Sequence, residues 1–289
     1  PQELTVAAIL DDATNFIHGI PENDDDIKMI DDSPPSELYF YIGNKEFGNE
    51  NIITNAGLTN GELYGVKVLG VSGENRNYGF GESEYKRVAE FELYSFGDVS
   101  SDPLGKNLQL RSIENGITQF LRIEDGAWSS LINNEFYFTT TDYFKGNSRL
   151  FKLVFNDIKR PEIGGKIEIV LNGNDHGIKM LDNITFDPWG RILMQEDPGK
   201  NERLAKIWIY DTVSKSLNAI AETSPDYFTI DGSKFLTIDE ETSGIIHAFD
   251  SLGEGWYLFT VQVNKCHKDS EIVRNGQLAA MYVPRNLNN

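Results

Sequence analysis

Short stretches in which apolar and polar residues alternate dominate the chain. Glu62-Leu-Tyr-Gly-Val-Lys-Val-Leu69 and Val88-Ala-Glu-Phe-Glu-Leu-Tyr94 place apolar side chains at nearly every second position. That is the period of a strand with one buried face. Glu37–Gly43, Glu135–Thr140, Arg149–Phe155 and Lys166–Leu171 carry the same enrichment in aromatic and β-branched residues. Arg191–Met194, Lys206–Tyr210, Trp256–Gln262 and Gln277–Val283 extend the series. Turn signals fall between the runs at Gly164-Gly165, Asn172-Gly173, Asp187-Pro-Trp-Gly190 and Asn275-Gly276. Helical periodicity is confined to Ser112–Leu121 and a short stretch around Ile245. The pattern predicts an all-β chain.

A slower rhythm chooses between all-β architectures. Glu124-Asp-Gly-Ala-Trp128, Asp182-Asn-Ile-Thr-Phe186 and Glu240-Glu-Thr-Ser-Gly244 each read as an acidic turn ahead of a buried strand, a loop and a strand ending in an aromatic. The interval from Asp125 to Asp182 is 57 residues and from Asp182 to Glu240 is 58. Several strands repeated at that length are the signature of propeller blades. The expected fold is therefore a β-propeller, or the C-terminal part of one, with blades of roughly 50–58 residues. An acidic irregular segment is expected over residues 1–36 and blades over 37–289.

Composition narrows the partners. The 289 residues include 26 basic and 45 acidic side chains, a net charge of −19. Neutralising phosphates takes clustered Lys and Arg, so nucleic acid is not an expected partner. Part of the surplus lies in Glu22–Asp26 and Asp31–Asp32, which read as a solvated loop rather than a cation loop. No apolar run approaches the ~20 residues of a membrane-spanning helix. Pro1 is followed by no basic stretch, so no signal peptide is expected within the chain. The single cysteine, Cys266, rules out an internal disulfide and any multi-cysteine zinc site. No Gly-x-Ser-x-Gly elbow or phosphate-binding glycine loop occurs. Trp128, Trp189, Trp208 and Trp256 read as core packing, and His18, His176 and His247 as surface positions or ambiguous ones.

The acids that follow the rhythm are more specific. Glu124, Asp125, Asp182, Glu196, Asp197, Glu240 and Glu241 recur once per repeat, and radial repetition brings such positions to one channel mouth. Carboxylates gathered together stay ionised only if a cation or a base neutralises them. An oxygen-only donor set selects a hard ion, calcium first, with magnesium or ferric iron as alternatives. The competing reading is that these acids cap turns and pair with neighbours such as Arg122 and Arg191.

Four stretches resemble the PhoX-type alkaline phosphatase family: Phe120-Leu-Arg-Ile-Glu-Asp-Gly-Ala-Trp128, Leu181 through Asp197, Glu241-Thr-Ser-Gly244 and Gly253 through Gln262. The resemblance spans about residues 110–285. It implies an exported bacterial β-propeller, periplasmic or extracellular, that hydrolyses phosphomonoesters with a calcium–iron cluster. It also implies that Glu124 and Glu241 are metal-bound catalytic residues and that Asp182 belongs to the site; Arg122 is the candidate for pairing with the phosphoryl oxygens. Ile123 replaces a family proline, Ser243 is inserted before Gly244, and Val263 stands where the family has histidine. The family's cysteine ligand has no counterpart in the N-terminal half. The family's propeller is also longer, which implies a second chain supplying the first blades or a different closure. The rival expectation is a non-catalytic, calcium-bound exported propeller that serves as a binding or assembly module.

Overall fold

The computed structural model describes residues 4–10, 35–48, 50–102, 105–266 and 274–287. Its first strands are β1 (Leu4–Leu10), β2 (Pro35–Ser36), β3 (Leu38–Asn44), β4 (Glu62–Val68), β5 (Val88–Gly97) and β6 (Phe120–Leu121). There follow β7 (Ile123–Trp128), β8 (Glu135–Thr140), β9 (Arg149–Phe155), β10 (Gly165–Asn172), β11 (Leu181–Phe186) and β12 (Arg191–Glu196). The last are β13 (Lys206–Asp211), β14 (Leu217–Glu222), β15 (Glu240–His247), β16 (Trp256–Cys266) and β17 (Arg274–Tyr282). Helices are short: α1 (Ile52–Asn55), α2 (Lys106–Asn115), α3 (Gly173–His176), α4 (Pro225–Phe228) and α5 (Phe249–Leu252). The chain is all-β, as its alternation predicts. It divides into two compact units, Pro1–Ile123 with Phe151–Val170, and Glu124–Leu150 with Leu171–Asn289.

In the first unit the hydrogen-bonded order is β1-β3-β4-β5-β10-β9. β5 shows why its sequence is a strand: Ala89, Phe91 and Leu93 are buried while Glu90 and Glu92 face water. Phe155 packs edge-on against both Phe40 and Phe91, with ring centroids 5.3 Å apart in each pair. On the other face Tyr39, Leu63, Phe96 and Ile117 form a smaller cluster with Leu108 of α2 packed against it. Two sequence expectations shift here. The stretch read as irregular opens with β1, which pairs antiparallel with β3 from Leu4↔Asn44 to Leu10↔Leu38. The acidic runs that prompted that reading lie outside the described residues. The helix expected at Ser112–Leu121 is α2, six residues earlier. The Asp102 carboxylate accepts from the Asn107 and Leu108 amides at its start, and Gly116 at φ +69° ends it.

The second unit contains the hairpin β7-β8, the four-stranded sheet β11-β12-β13-β14 and the three-stranded sheet β15-β16-β17. The 57-residue rhythm marks the first strand of each. What the sequence suggested were acidic turns are β7, β11 and β15 themselves, so the acids sit on strands. The helix considered around Ile245 is likewise part of β15. Asn275-Gly276 makes no turn; both pair with β16, opposite Val263 and Gln262. Asp187–Gly190 does turn the chain between β11 and β12, with Gly190 at φ +84° donating to the Asp187 carbonyl. That left-handed backbone is what favours glycine at position 190, and a Cβ there would also displace Leu131 Cδ1, 2.2 Å away.

Two things join the sheets of this unit. Leu193, Ile207 and Ile209 pack with Ile245, Tyr257 and Val283 as one buried cluster. Beside it, Arg191 Nε donates to Asp187 Oδ2 at 2.6 Å, and the Tyr257 hydroxyl donates to the same oxygen at 2.7 Å. Arg191 also donates to the Pro284 and Arg285 carbonyls. Burial first, then the Asp187 charge, pushes the Tyr257 phenol well above its ordinary value near 10. A group whose folded pKa is raised gives stability that is complete below the unfolded pKa and is lost as pH climbs toward the folded one. The native chain should therefore lose stability above about pH 10, and Tyr257→Phe should flatten that loss in alkaline denaturation curves.

The tryptophans split. Trp208 is buried, Trp128 packs edge-on against Phe136 at 5.2 Å, and Trp189 lies 4.7 Å from the Arg191 guanidinium. Trp256 departs from the core expectation, being 36% exposed beside Tyr282.

Candidate metal centre

Three carboxylates converge in the second unit. Asp182 is on β11, Asp197 follows the end of β12, and Glu241 is on β15. Pairing of Leu181 with Glu196 sets the first two side by side, and a register shift between Leu181 and Ile184 bends β11 at Asp182. The Asp197 amide donates to the carbonyl of Met180, whose φ of +47° is rare for a side chain of that size. Glu241 is brought over by two amides: Asn183 Oδ1 accepts from Ser243 Oγ at 2.7 Å and from the Gly244 amide at 2.6 Å. Gln195 Oε1 likewise accepts from the Ile245 amide at 2.9 Å. One ligand oxygen from each of Asp182, Asp197 and Glu241 lies within 4.8 Å of the others.

Their surroundings hold two of the acids in place. Asp197 Oδ1 accepts from the Gly199 amide at 3.0 Å, and Gln262 Nε2 donates to Glu241 Oε1. Asp182 and Asp197 are partly withdrawn from solvent. Oxygens that share one calcium at 2.3–2.6 Å stand at most about 4.6–5.2 Å apart, so the spread suits that ion. The donors are all hard oxygens, and among the described residues no other group of three acids, histidines or cysteines meets the same spacing.

The other predicted residues are placed elsewhere or differently. Asp125 is on β7, where Oδ2 accepts from the Ile184 amide at 2.9 Å and Oδ1 from its neighbour Gly126. Burial pushes its carboxyl above the ordinary value against those two bonds. Glu196 is fully buried and accepts from Arg203, from Trp208 Nε1 and from the Lys179 and Lys206 amides. Glu240 faces the opposite side of β15 from Glu241, bonded to Thr223 Oγ1 at 2.7 Å and the Ala205 amide at 3.2 Å. Glu124 is partly buried on β7. Arg122 belongs to the first unit, at φ +62° between β6 and β7. His176 ends the four-residue α3 and is exposed, and the side chain of Cys266 lies outside the described ones.

Asn183 and Gln195 were missed as positioning residues. Their signal is an amide at an interior strand position, where a polar group needs a partner. Glu196 separates the structural from the functional acids. Glu196→Gln should lower stability by about 2 kcal/mol, because a donor then meets donors. It should leave calcium affinity within about twofold of native, since losses of about 10–100-fold belong to residues bonded to the ligands themselves. Denaturant unfolding and calcium titration check both parts.

No family model matches the chain, and no curated protein matches it by sequence. Among solved structures, Pseudomonas fluorescens PhoX in complex with vanadate, a transition state analogue, superposes with a TM-score of 0.57 at 13% identity. The match covers 86% of this chain and 49% of that one. The fold is that of PhoX. PhoX is a β-propeller, which agrees with the architecture expected from the 57-residue rhythm. The chain spans about half the length of the PhoX structure. No helix among the described residues is long and apolar enough to cross a membrane.

Proposed function

We propose that the chain is a metal-dependent phosphoesterase of PhoX type, acting on phosphomonoesters. The observation that carries this reading is the convergence of Asp182, Asp197 and Glu241 in a chain that folds like PhoX. These three would hold calcium, with Gln262 fixing the carboxylate of Glu241 and the Gly199 amide that of Asp197. A cation there would polarise a phosphoryl oxygen and offset developing negative charge. The chain's own part is to keep the three acids spaced and aimed at one point. Asn183 and Gln195 do this by tying β15 to β11 and β12.

The resemblance would add Glu124 as a further ligand and iron as a second metal, and would put the protein in the periplasm or outside the cell. These belong to the proposal. Rapid hydrolysis of p-nitrophenyl phosphate by calcium-loaded protein, lost in Asp182→Asn and Glu241→Gln, is the expected result.

A second reading has support of its own. Val263 stands where the family has histidine. That suits a calcium-bound module without catalysis, needing a partner for any activity. Calcium binding lost in Glu241→Gln, with no hydrolysis under any metal, would choose that reading.

A further inference from the structure

On the other face of β15 lies a cavity that the metal centre does not use. It encloses about 390 Å³ between the inner face of β15-β16-β17, the edge of β14 and helix α4. Its walls are mainly apolar and include Ile207, Phe228, Leu236, Phe259, Val261 and Val263. The core cluster around Tyr257 fills the space between the two sheets at one end, and the cavity lies at the other. Small residues keep it open. Ala221 sits on β14 at a register shift opposite Ile207, and Thr242 projects from β15.

Thr242 is the unusual wall. It is 2% exposed, lines the cavity, and its hydroxyl oxygen is buried with no hydrogen-bond partner. Buried hydroxyls are nearly always bonded, and one left alone carries a desolvation cost that a ligand can recover. One step between staggered χ1 wells moves this hydroxyl to another position on the same side chain. The second threonine of the wall is committed, because Thr223 donates to Glu240.

We propose that this cavity binds a small uncharged molecule, mainly apolar, with one carbonyl oxygen that accepts from Thr242. The volume falls in the range of ligand pockets, which pair apolar walls with a few polar groups. Charge decides against an anion. No Lys or Arg lines the cavity, Glu222 stands at its wall, and the chain carries a net charge of −19. The inference rests on neither the cation cluster nor the phosphoesterase reading.

The test uses the full chain, 2-octanone as probe, and the methyl resonances of Val261 and Val263 in a titration. Saturable shifts are expected, with octanoate binding at least about tenfold more weakly at neutral pH. Thr242→Val keeps shape and removes the hydroxyl, so it should weaken 2-octanone about tenfold, the cost of one hydrogen bond. It should also leave the thermal midpoint at or above native, because no bond is lost. Ala221→Phe, folded by circular dichroism, should abolish the shifts. An absence of saturable shifts in the native chain, unchanged affinity in Thr242→Val, or binding that survives Ala221→Phe would each overturn the proposal.

Discussion

Replacing Arg191 with methionine is expected to cost about 3–5 kcal/mol of stability, the range for breaking one half of a buried ion pair. Arg191 is 3% exposed and Asp187 is 0% exposed, so neither charge has water to fall back on. The guanidinium is bonded to Asp187, to the Tyr257 hydroxyl at 3.1 Å and to two backbone carbonyls near the C-terminal end of the described chain. Methionine fills most of the volume and supplies none of those donors. Asp187 would then be a buried anion kept only by the Trp189 and Arg191 amides and the Tyr257 hydroxyl. Adding Asp187→Asn removes that charge and keeps an acceptor for the turn. The double variant should recover part of the loss. Urea unfolding of the two variants checks the prediction, and a single variant within about 0.5 kcal/mol of native, the range of ordinary surface changes, would refute it.

The second large effect concerns Glu241. Glu241→Gln should lower calcium affinity by about 100-fold or more, the upper end of the loss seen when even a residue bonded to a ligand is removed. The substitution keeps the side-chain shape and takes one negative charge from a three-acid set. Hydrolysis should fall with it in the phosphoesterase reading. Gln262→Leu is gentler, since it removes only the donor that fixes Glu241. A loss of about tenfold is expected there, and its main effect should be on cation affinity. Titration calorimetry separates the two, because a residue that merely supports the fold would lower stability without this graded loss of affinity.

Alternation made the strands legible. β5, with Phe91 and Leu93 inside and Glu90 and Glu92 outside, could hardly be read otherwise. β1 was hidden because Leu4-Thr-Val-Ala-Ala-Ile-Leu10 is apolar almost throughout and adjoins an acidic stretch. β15 was misread because Ser243-Gly244 looks like a turn, whereas the chain absorbs it as an irregularity in register with β16. Asn275-Gly276 misled for a similar reason: a turn dipeptide stays in a strand when its neighbours supply the ladder bonds.

The acids were legible as a set and not as roles. Adjacent residues on a strand face opposite ways, so Glu240 and Glu241 part company although they are neighbours in sequence. One bonds Thr223 on the inner face; the other joins Asp182 and Asp197. Glu196 and Asp197 part in the same manner, because Arg203, Trp208 Nε1 and the Lys179 and Lys206 amides all donate to Glu196. Periodicity gives the position along the chain, but only the bulges and the Asn183 and Gln195 bonds decide which carboxylates meet.

The most direct test of the phosphoesterase reading is hydrolysis of p-nitrophenyl phosphate by metal-stripped protein reloaded with calcium, alone and together with iron. Activity that is absent after stripping, returns on reloading and fails to return in Glu241→Gln is the predicted result. Reloaded native protein that binds neither metal and releases no p-nitrophenol would contradict the account.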